Sequence, residues 1–457
     1  MTPKRFPDTV PLAEVRAATE PLEPGAEAET LVRAAGRVLG RREMGKLVFL
    51  DLVDRTARIQ LLCDTSRTGA VDVDLGDIVG VTGRPAKARR GESSIAVDEL
   101  VLLGKIRTPL PDTFHGVTDQ EVRYRKRYLD LLMNEDSRRD AIVRARMITA
   151  IRTYLDGDGF IEVETPILQP RYGGAFAEPF VTHSNYLDAD VYLRIADELY
   201  LKRLIVGGLE KVYELSKDFR NEGVSYKHSP EFTQLEWYEA YADYSDTMIR
   251  TETLVSRAAD AATGRTKVMF RGAEVDLAPP WQRVRFTDAL AAHGAWSRDP
   301  GEVRSKLDAA GVDTSQDKTW AQLVDHAYSH FVEPSLTQPT FVVDWPIEMS
   351  PFARTTDDDP QLVERFEAVV NGMEFANAFS ELNDSAEQDE RFAMQAEERE
   401  AGDATAEAGD PDYVEALAYG MPPTGGRGVG MDRLAMVLTG RDTIRDVILF
   451  PALRQHE

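Results

Sequence analysis

The stretch KVYELSKDFRNEGVSYKHSPEFTQLEWYEAYADY, residues 211–244, decides the fold of this chain. Both of its ends show the alternation of β-strands, and its polar middle contains Gly223 and Pro230, so it predicts a hairpin with a long loop. The second strand places a ring, an amide, a carboxylate and a phenol on one face, at Phe232, Gln234, Glu236 and Tyr238. A strand face that packs on a core would be aliphatic, so we expect this face to line a pocket.

The first strand of the hairpin carries polar side chains on one face, at Glu214, Ser216, Asp218 and Arg220. Arg220 stands at the strand end beside the loop, where a guanidinium can clamp a phosphate through two parallel hydrogen bonds. A salt bridge on an exposed hairpin remains the alternative for Arg220 or Glu222 taken alone.

A second hairpin is predicted in RFEAVVNGMEFANAFSEL, residues 365–382. Asn371-Gly372 is the strongest short signal for a type I′ turn, and it pairs Val369 with Glu374. Glu367 and Glu374 then lie on one face as diagonal neighbours, roughly 7–8 Å apart at Cα. Two carboxylates at this spacing repel each other unless a cation lies between them, and hard oxygen ligands suit Mg²⁺ shared with substrate phosphates.

Asn377 and Glu381 fall on the opposite parity from Glu374, so a β-bulge between residues 374 and 377 is needed for all of them to face one pocket. The alternative is an acidic hairpin that faces solvent. Burial of the neighbouring apolar side chains favours the site over this alternative.

The third informative segment is GGRGVGMDRLAM, residues 425–436. The clustered glycines predict a turn that lets the backbone approach a nucleotide closely, followed by an amphipathic helix. Arg433, at the start of that helix, offers a second phosphate clamp. A glycine cluster alone does not specify a ligand.

Together these segments supply two arginines, two metal-competent carboxylates and an aromatic platform, a set that suits nucleotidyl transfer from ATP. In such a reaction the enzyme must stabilise charge on the α-phosphate and on the departing pyrophosphate. The sequence contains no GxxxxGK[ST] loop and no GxSxG elbow, which excludes P-loop and nucleophile-elbow enzymes. Its only cysteine is Cys63, so a disulfide or a cysteine-based zinc site within the chain is excluded too.

Composition indicates a globular protein of 457 residues with a formal charge of −24. We expect a cytoplasmic location, because the first residues show no signal-peptide pattern and no run approaches the roughly 20 apolar residues of a membrane span. The acidic balance argues against tight non-specific RNA binding, although a local basic patch decides such binding.

The predicted fold class is α+β, with an N-terminal OB-type β-barrel followed by a larger domain whose antiparallel sheet carries flanking helices. The predicted divisions are a poorly ordered tail (1–29), the barrel (30–106), a linker (107–138) and the larger domain (139–457), with a helical insertion at about 245–335. A generic β-domain without a nucleic-acid role is the alternative for the barrel.

Three segments in order resemble the motifs of class II aminoacyl-tRNA synthetases. Residues 159–166 (GFIEVETP) resemble motif 1, the dimer-interface motif; residues 219–222 (FRNE) with 228–232 (HSPEF) resemble motif 2; residues 428–433 (GVGMDR) resemble motif 3. The resemblance covers nearly the whole chain from about residue 31, and it predicts an OB-fold anticodon-binding domain, a class II catalytic domain and a homodimer through motif 1.

A finer resemblance is to the lysyl-tRNA synthetases. It rests on residues 173–175 (GGA), 192–196 (YLRIA), 198–204 (ELYLKRL), 380–384 (SELND) and 443–451 (TIRDVILFP), and on 111–116 (PDTFHG) in the linker. Three residues near the lysine-pocket loops depart from it, at Phe176, Glu178 and Asp197, the last of which stands where proline is common.

This resemblance implies roles by position. Arg220 and Arg433 would be the catalytic arginines, and ATP would contact Arg220, Glu222, His228, Phe232, Glu367 and Arg433. Mg²⁺ would be held by Glu367 and Glu374. Lysine would be surrounded by Gly174, Glu198, Glu236, Tyr238, Asn377 and Glu381. The anticodon of tRNA(Lys) would meet Phe49 and Gln60 on the barrel, with a splayed base stacked on Phe49.

Physical chemistry agrees with a lysine pocket, because several carboxylates select a cationic side chain and reject Asp or Asn. The expected activity is ligation of L-lysine to tRNA(Lys) with ATP. Two alternatives stay open: a paralogue that activates lysine or an analogue for a non-tRNA acceptor, and a non-catalytic RNA-binding protein on the same scaffold.

Overall fold

The computed structural model describes residues 2–111, 116–400 and 409–454. The chain divides into two compact units, Met1–Arg138 and Arg139–Glu457. Residues 112–115, which contribute to the linker part of the family resemblance, lie outside the described residues.

The first unit contains a closed five-stranded barrel in the order β1-β2-β3-β5-β4. Its strands are β1 (Val32–Met44), β2 (Leu47–Val53), β3 (Arg58–Asp64), β4 (Ile78–Lys87) and β5 (Ser93–Gly104). Four helices belong to the unit: α1 (Leu12–Thr19), α2 (Thr65–Thr68), α3 (Gln120–Arg125) and α4 (Arg127–Met133). The alternating inward side chains of the strands form one apolar cluster, and the barrel confirms the predicted OB-type architecture.

The prediction of a poorly ordered tail over residues 1–29 is wrong for helix α1. Leu12 and Val15 of that helix are buried in the barrel cluster. The backbone N–H of Leu12 donates to Asp54 Oδ2 at 2.9 Å, which satisfies a donor that the first turn of a helix otherwise leaves unpaired. Only two apolar residues, three positions apart, anchor this helix in the cluster. This pattern is too short to predict a helix among the surrounding Pro, Glu and Ala residues.

The second unit is built on an eight-stranded sheet in the order β14-β15-β16-β17-β18-β11-β10-β6. Its strands are β6 (Ile161–Glu162), β10 (Lys211–Phe219), β11 (Glu231–Ala240), β14 (Gln282–Arg285), β15 (Thr340–Pro346), β16 (Leu362–Val369), β17 (Glu374–Ser380) and β18 (Thr424–Gly430). Smaller sheets are formed by β7 (Leu168–Gln169), β8 (Val181–Ser184) and β9 (Ala189–Leu193), and by β12 (Lys267–Phe270) and β13 (Ala273–Asp276).

Helices flank this sheet as predicted. They are α5 (Glu135–Gly157), α6 (Glu198–Val206), α7 (Tyr244–Thr263), α8 (Phe286–Ala292), α9 (Pro300–Ala309), α10 (Trp320–Ala327), α11 (Ser385–Glu400), α12 (Pro411–Ala418), α13 (Met431–Thr439) and α14 (Ile444–Val447). Side chains of α5, α7 and α13 pack with Trp237 and Phe366 in the main core cluster. That core covers one face of the sheet.

The sheet is mixed rather than wholly antiparallel. Its six central strands are antiparallel, whereas β6 pairs with β10 and β14 pairs with β15 in parallel at the two edges.

The prediction of a helical insertion at about 245–335 needs correction, because this region also supplies edge strand β14 and the β12–β13 hairpin. Strands of four residues are too short to show a two-residue period in the sequence. Strand β14 is recognised only by its pairing with β15.

The second predicted hairpin forms with the expected turn and bulge. Asn371 and Gly372 have φ values of 43° and 70°, as a type I′ turn requires. Val369 pairs with Glu374, and the register then shifts by one residue, so that Glu367 pairs with Asn377. Both predictions are confirmed, and the bulge turns Glu374 and Asn377 toward one side of the sheet.

The prediction of a glycine-rich turn at residues 425–430 is wrong, since these residues form strand β18 in the middle of the sheet. A Cβ on Gly428 would lie 2.7 Å from Gln234 Nε2, and one on Gly425 would lie 2.6 Å from Thr247 Oγ1. The glycines are needed because side chains of neighbouring elements lie directly across this strand.

Candidate active site

A cavity of about 340 Å³ lies on the face of the sheet opposite the main core. It is lined by most of the residues singled out in the sequence: Gly174, Glu198, Arg220, Glu222, His228, Phe232, Glu236, Tyr238, Glu367, Glu374, Asn377 and Arg433. Gln234 lines it too, which confirms that the polar face of β11 faces a pocket. Segments far apart in sequence thus meet at one place because β11, β17 and β18 are neighbours in the sheet.

Glu381 is the exception among the cavity residues predicted from sequence. It does not line the cavity but lies behind it at 2% exposure, and it forms an ion pair with Lys202. A Cβ on Gly426 would overlap it. Its carboxylate therefore forms part of a buried charge cluster and not of the cavity surface.

One end of the cavity combines an arginine with an aromatic ring. The guanidinium of Arg220 lies 5.1 Å from the centroid of the Phe232 ring. Glu222 accepts a hydrogen bond from the backbone N–H of Glu178 at 3.3 Å, which orients the carboxylate at the cavity mouth. A ring and a cation spaced in this way can hold a flat heteroaromatic base next to an anionic group.

His228 lies on the loop between β10 and β11, where its Nδ1 is 2.8 Å from Ser225 Oγ. Partial burial at the cavity mouth and the nearby charge of Arg433 lower the pKa of His228 to about 4. The imidazole is therefore neutral near pH 7, and it offers a hydrogen bond without a charge.

The two carboxylates of the second hairpin face the cavity, each next to an arginine. Arg365 Nη2 donates to Glu367 Oε1 at 2.7 Å, and Arg433 pairs with the Glu374 carboxylate. Burial raises the pKa of Glu367 to about 8 despite Arg365, and Glu374 adds to this rise. Burial acts in the same sense on Glu374, but Arg433 and Lys227 outweigh it and hold that pKa below its usual range.

These residues fit a divalent cation. Glu333 brings a third carboxylate beside the pair, and its Oε1 accepts from the backbone N–H of Glu374 at 3.1 Å. Burial is the main cause of the raised pKa of Glu367, and the nearby charges of Glu374, Asp325 and Glu333 add to the rise. Hard carboxylate oxygens are the ligands that Mg²⁺ shares with phosphate groups.

A buried lysine lies behind the wall at the other end of the cavity. Lys202 is fully buried, its Nζ lies 2.5 Å from Glu198 Oε1, and it also pairs with Glu381. Four aromatic rings surround this ammonium at 4.9–5.9 Å, those of Tyr238, Phe352, Phe379 and Tyr413. Burial raises the pKa of Glu381 to about 8, against the effect of Lys202. A single ammonium thus holds two carboxylates in place at this end of the site.

Glu236 lies between the two ends. Gln234 Nε2 donates to its Oε1 at 2.7 Å, and the Tyr238 hydroxyl donates to its Oε2 at 3.1 Å. Asn377 accepts from Arg365 Nε at 2.9 Å, so its amide is held beside the Glu367 carboxylate. These hydrogen bonds fix the side chains in the middle of the cavity.

Sequence reasoning assigned no role to Lys202, Arg365 or Glu333. Arg365 shares a strand face with Glu367 by the two-residue period, and Lys202 stands four residues after Glu198 on a largely apolar helix. Both spacings indicate that the cation lies beside its carboxylate, Arg365 beside Glu367 and Lys202 beside Glu198. Glu333 joins the site through a distant short helical turn, and no local pattern indicates it.

The two barrel residues predicted to read an anticodon lie on adjacent strands of the first unit. Phe49 pairs with Leu62, and Asp51 pairs with Gln60, so Phe49 and Gln60 are diagonal neighbours on the outer face. Gln60 lines a groove of about 780 Å³ that also contains Arg16, Arg41, Arg42 and Arg58. Asp51, which pairs with Arg58, and Glu92 line the groove as well, so it has a small excess of positive charge on an otherwise acidic chain.

Among the described residues, no helix combines the length and the apolar character needed to cross a membrane.

Comparison with known proteins agrees with the fold. Residues 119–454 match the family of class II tRNA synthetases (D, K and N), and residues 32–103 match the OB-fold nucleic acid binding domain. The chain is 48% identical to the lysine–tRNA ligase of Pelotomaculum thermopropionicum over 93% of this chain and 86% of that protein. It is 49% identical to that of Haemophilus influenzae, over 93% and 87%, and 47% identical to that of Thermotoga maritima, over 99% and 92%. The chain therefore belongs to the class II tRNA synthetases, in the family of the lysine–tRNA ligases.

Proposed function

We propose that this protein is a lysine–tRNA ligase that activates L-lysine with ATP to lysyl-adenylate and transfers the lysyl group to tRNA(Lys). The observation that carries this proposal is a single cavity with an arginine–phenylalanine pair at one end and buried carboxylates at the other. The first arrangement suits a nucleotide, and the second suits an amino acid with a cationic side chain.

In the activation step the lysine carboxylate attacks the α-phosphate and pyrophosphate leaves. The carboxylate is already a nucleophile, so positioning and charge stabilisation are the main tasks of the site. Arg220 would hold the α-phosphate and the lysine carboxylate, while Phe232 and Glu222 would bind adenine. Arg433 and the neutral His228 would contact the terminal phosphates.

Mg²⁺ would be held by Glu367 and Glu374, and it would supply positive charge to the phosphate oxygens of ATP. Arg365 keeps the Glu367 carboxylate in position through its 2.7 Å hydrogen bond. Arg433 pairs with Glu374, so the same arginine would contact both a ligand of the cation and the terminal phosphates.

The substrate lysine would be surrounded by six residues: Gly174, Glu198, Glu236, Tyr238, Asn377 and Glu381. Lys202 keeps Glu198 and Glu381 together, which lowers the cost of two buried carboxylates at one place. Recognition of tRNA(Lys) would involve Phe49, Gln60 and the basic groove of the barrel. We further propose a cytoplasmic homodimer with motif 1, residues 159–166, at the subunit contact.

Two assays test the proposal. Lysine-dependent ATP–pyrophosphate exchange measures activation, and charging of a tRNA with a UUU anticodon measures transfer. Exchange without charging would point to a different acceptor, and absence of exchange in the presence of Mg²⁺ would contradict the proposal entirely.

The sharpest single variant is Arg220→Ala, for which we expect the exchange rate to fall by about 10²-fold or more, the range seen when a group that stabilises transition-state charge is removed. Arg283→Ala is the matched control, because that guanidinium is about half exposed and, within the described part of the chain, its one ion pair is a 3.9 Å contact with Glu252. Equal exchange rates in the two variants would remove Arg220 from the mechanism.

A further inference from the structure

A buried carboxyl group, that of Asp197, lies directly behind the wall of the cavity. Asp197 immediately precedes helix α6 and is fully buried, and Glu236 on β11 is 3% exposed. One carboxylate oxygen each of Asp197, Glu236 and Asp218 lie within 4.8 Å of one another. Glu236 lines the cavity, whereas Asp197 and Asp218 lie behind it.

The hydrogen-bond donors around this cluster are unequally shared. Glu236 accepts one bond from Gln234 and one from Tyr238. Among the described residues, neither oxygen of Asp197 accepts a hydrogen bond from a donor group, and its side chain does not cap helix α6. An ionised Asp197 would therefore be a buried charge without the hydrogen bonds that such a charge needs.

The nearby cations are already engaged with other carboxylates. Arg194 contacts Glu214 at 2.7 Å and Asp218 at 3.2 Å, and Lys202 lies between Glu198 and Glu381. In the ranges that the structure describes, six carboxylates from β10, β11, the start of α6 and the loop after β17 thus lie around Arg194 and Lys202, and the charge of Arg220 acts on Asp218 as well. The charge of Arg194 lowers the pKa of Asp197, but Arg194 is shared with Glu214 and Asp218 and does not balance all three carboxylates.

Two adjacent buried carboxyl groups in such a place cannot both ionise, and they share one proton. The proton belongs on the group that lacks donors, because an ionised Glu236 is already stabilised by two. Burial, together with the charge of Glu236, raises the pKa of Asp197 well above its usual range. Burial raises the pKa of Glu236 well above its usual range too, and the charges of Asp218 and Glu198 add to that rise, while a hydrogen bond with Asp197 opposes it.

We propose that Asp197 is a positioning residue that stays protonated and donates a hydrogen bond to Glu236, so that Glu236 presents one oriented negative charge to the amino-acid substrate. As a third donor, Asp197 fixes the carboxylate that faces the cavity without adding a second charge behind it. The inference rests on the proposed function, in which Glu236 contacts lysine.

Kinetics of three variants separate this role from a merely structural one. Asp197→Asn keeps the size of the side chain and a donor toward Glu236, whereas Asp197→Ala removes the donor. We expect Asp197→Ala to raise the KM for lysine in pyrophosphate exchange about tenfold, the effect of one hydrogen bond to a charged group, with kcat within about twofold. Asp197→Asn should stay within about twofold of the wild type in both constants.

Asp299→Asn is the control for the chemical change itself, because Asp299 is an exposed aspartate at the start of α9. Its kinetic constants should match those of the wild type. A KM for lysine that rises as much in Asp197→Asn as in Asp197→Ala would overturn the proposal, since it would show that the negative charge or a bound metal ion matters and not the donor.

Infrared spectroscopy of the substrate-free enzyme tests the proton directly. With ¹³C-labelled aspartate, the wild type should show a carboxylic-acid carbonyl band near neutral pH that Asp197→Asn lacks and Asp299→Asn retains. Absence of that band, or a divalent metal ion bound stoichiometrically to the wild type but not to Asp197→Asn in the absence of ATP, would refute the assignment. If the proposed function alone were wrong, no variant would catalyse exchange but the band would remain.

Discussion

At the scale of the residue, the part of the site proposed to bind lysine depends on small and charged side chains that fit closely together. Gly426 on β18 lies against the Tyr238 ring and the Glu381 carboxylate. Lys202 in turn connects Glu381 to Glu198. A substitution at Gly426 therefore affects Glu381 directly, and it affects Glu198 through Lys202.

Gly426→Ala should weaken lysine binding. The added Cβ would overlap the Glu381 carboxylate and would lie 2.7 Å from Tyr238 Cδ1, closer than real Cβ contacts allow, and overpacking of this kind costs about 1–3 kcal/mol. We expect the KM for lysine in pyrophosphate exchange to rise about tenfold or more by the same estimate, with a smaller effect on the KM for ATP. Gly157→Ala is the control, because no atom lies within 4 Å of its added Cβ; an equal effect of both variants would contradict the explanation.

At the scale of the element, local hydrogen bonds set where strands and helices begin. The Asn371-Gly372 turn and the bulge after Glu374 orient the two candidate metal ligands. Helix α7, which packs on the core face of the sheet, begins with a capping box. Asp243 accepts from the backbone N–H groups of Ser245 and Asp246 at 2.7 and 3.1 Å, and Asp246 accepts from the N–H of Asp243 at 3.2 Å.

Asp243→Ala should lower the free energy of unfolding by about 1 kcal/mol, because two N–H groups of the first helical turn lose their acceptor. Denaturant unfolding followed by circular dichroism measures the change. Asp243→Ser keeps an acceptor at this position and should recover most of the loss. A serine variant as unstable as the alanine variant would show that the cap does not account for the effect.

At the scale of the whole molecule, the chain has one unit that carries the candidate active-site cavity and another that carries a barrel with a groove lined by arginines. Under the proposed function the first reaction step needs only the cavity, whereas tRNA recognition also needs the barrel. The two activities should therefore respond to different substitutions.

Phe49→Ala should leave pyrophosphate exchange unchanged and should reduce tRNA charging about tenfold, the loss of one base–aromatic stack of about 1–3 kcal/mol. The two assays performed on one protein sample give this comparison. Tyr186→Ala, which removes a 95% exposed ring in the other unit, should affect neither. Equal loss in exchange and charging for Phe49→Ala would show that the barrel does not act as an anticodon reader.

The packing of the barrel also predicts the chemistry of Cys63. This side chain is fully buried among apolar residues, and burial raises the pKa of its thiol to about 12. The unfolded thiol ionises near pH 9.0, so this residue's contribution to folding stability is complete below that pH and is lost as pH rises toward the folded value. At a pH just below 9.0, where the unfolded thiol begins to ionise, an alkylating reagent should modify Cys63 only after denaturation, as mass spectrometry would show; rapid modification of the native protein would contradict the burial.

The sequence by itself determined the features that depend on neighbouring residues. The period of residues 232–238, the Asn371-Gly372 turn and the need for a bulge before Asn377 all follow from strand geometry and turn chemistry, and the ordered motifs identify the catalytic scaffold. These features are local, so a window of a few residues contains the physical information that specifies them.

Only the tertiary structure decided the features that join distant segments. Lys202 meets Glu381 across almost two hundred residues, the glycines of β18 lie under side chains of other strands, and Asp197 meets Glu236 behind the cavity. Helix α1 and strand β14 exist because they pair or pack with remote partners. Burial, and with it the charge state of each carboxyl group, arises only when the chain has folded, because desolvation depends on every segment that surrounds the group.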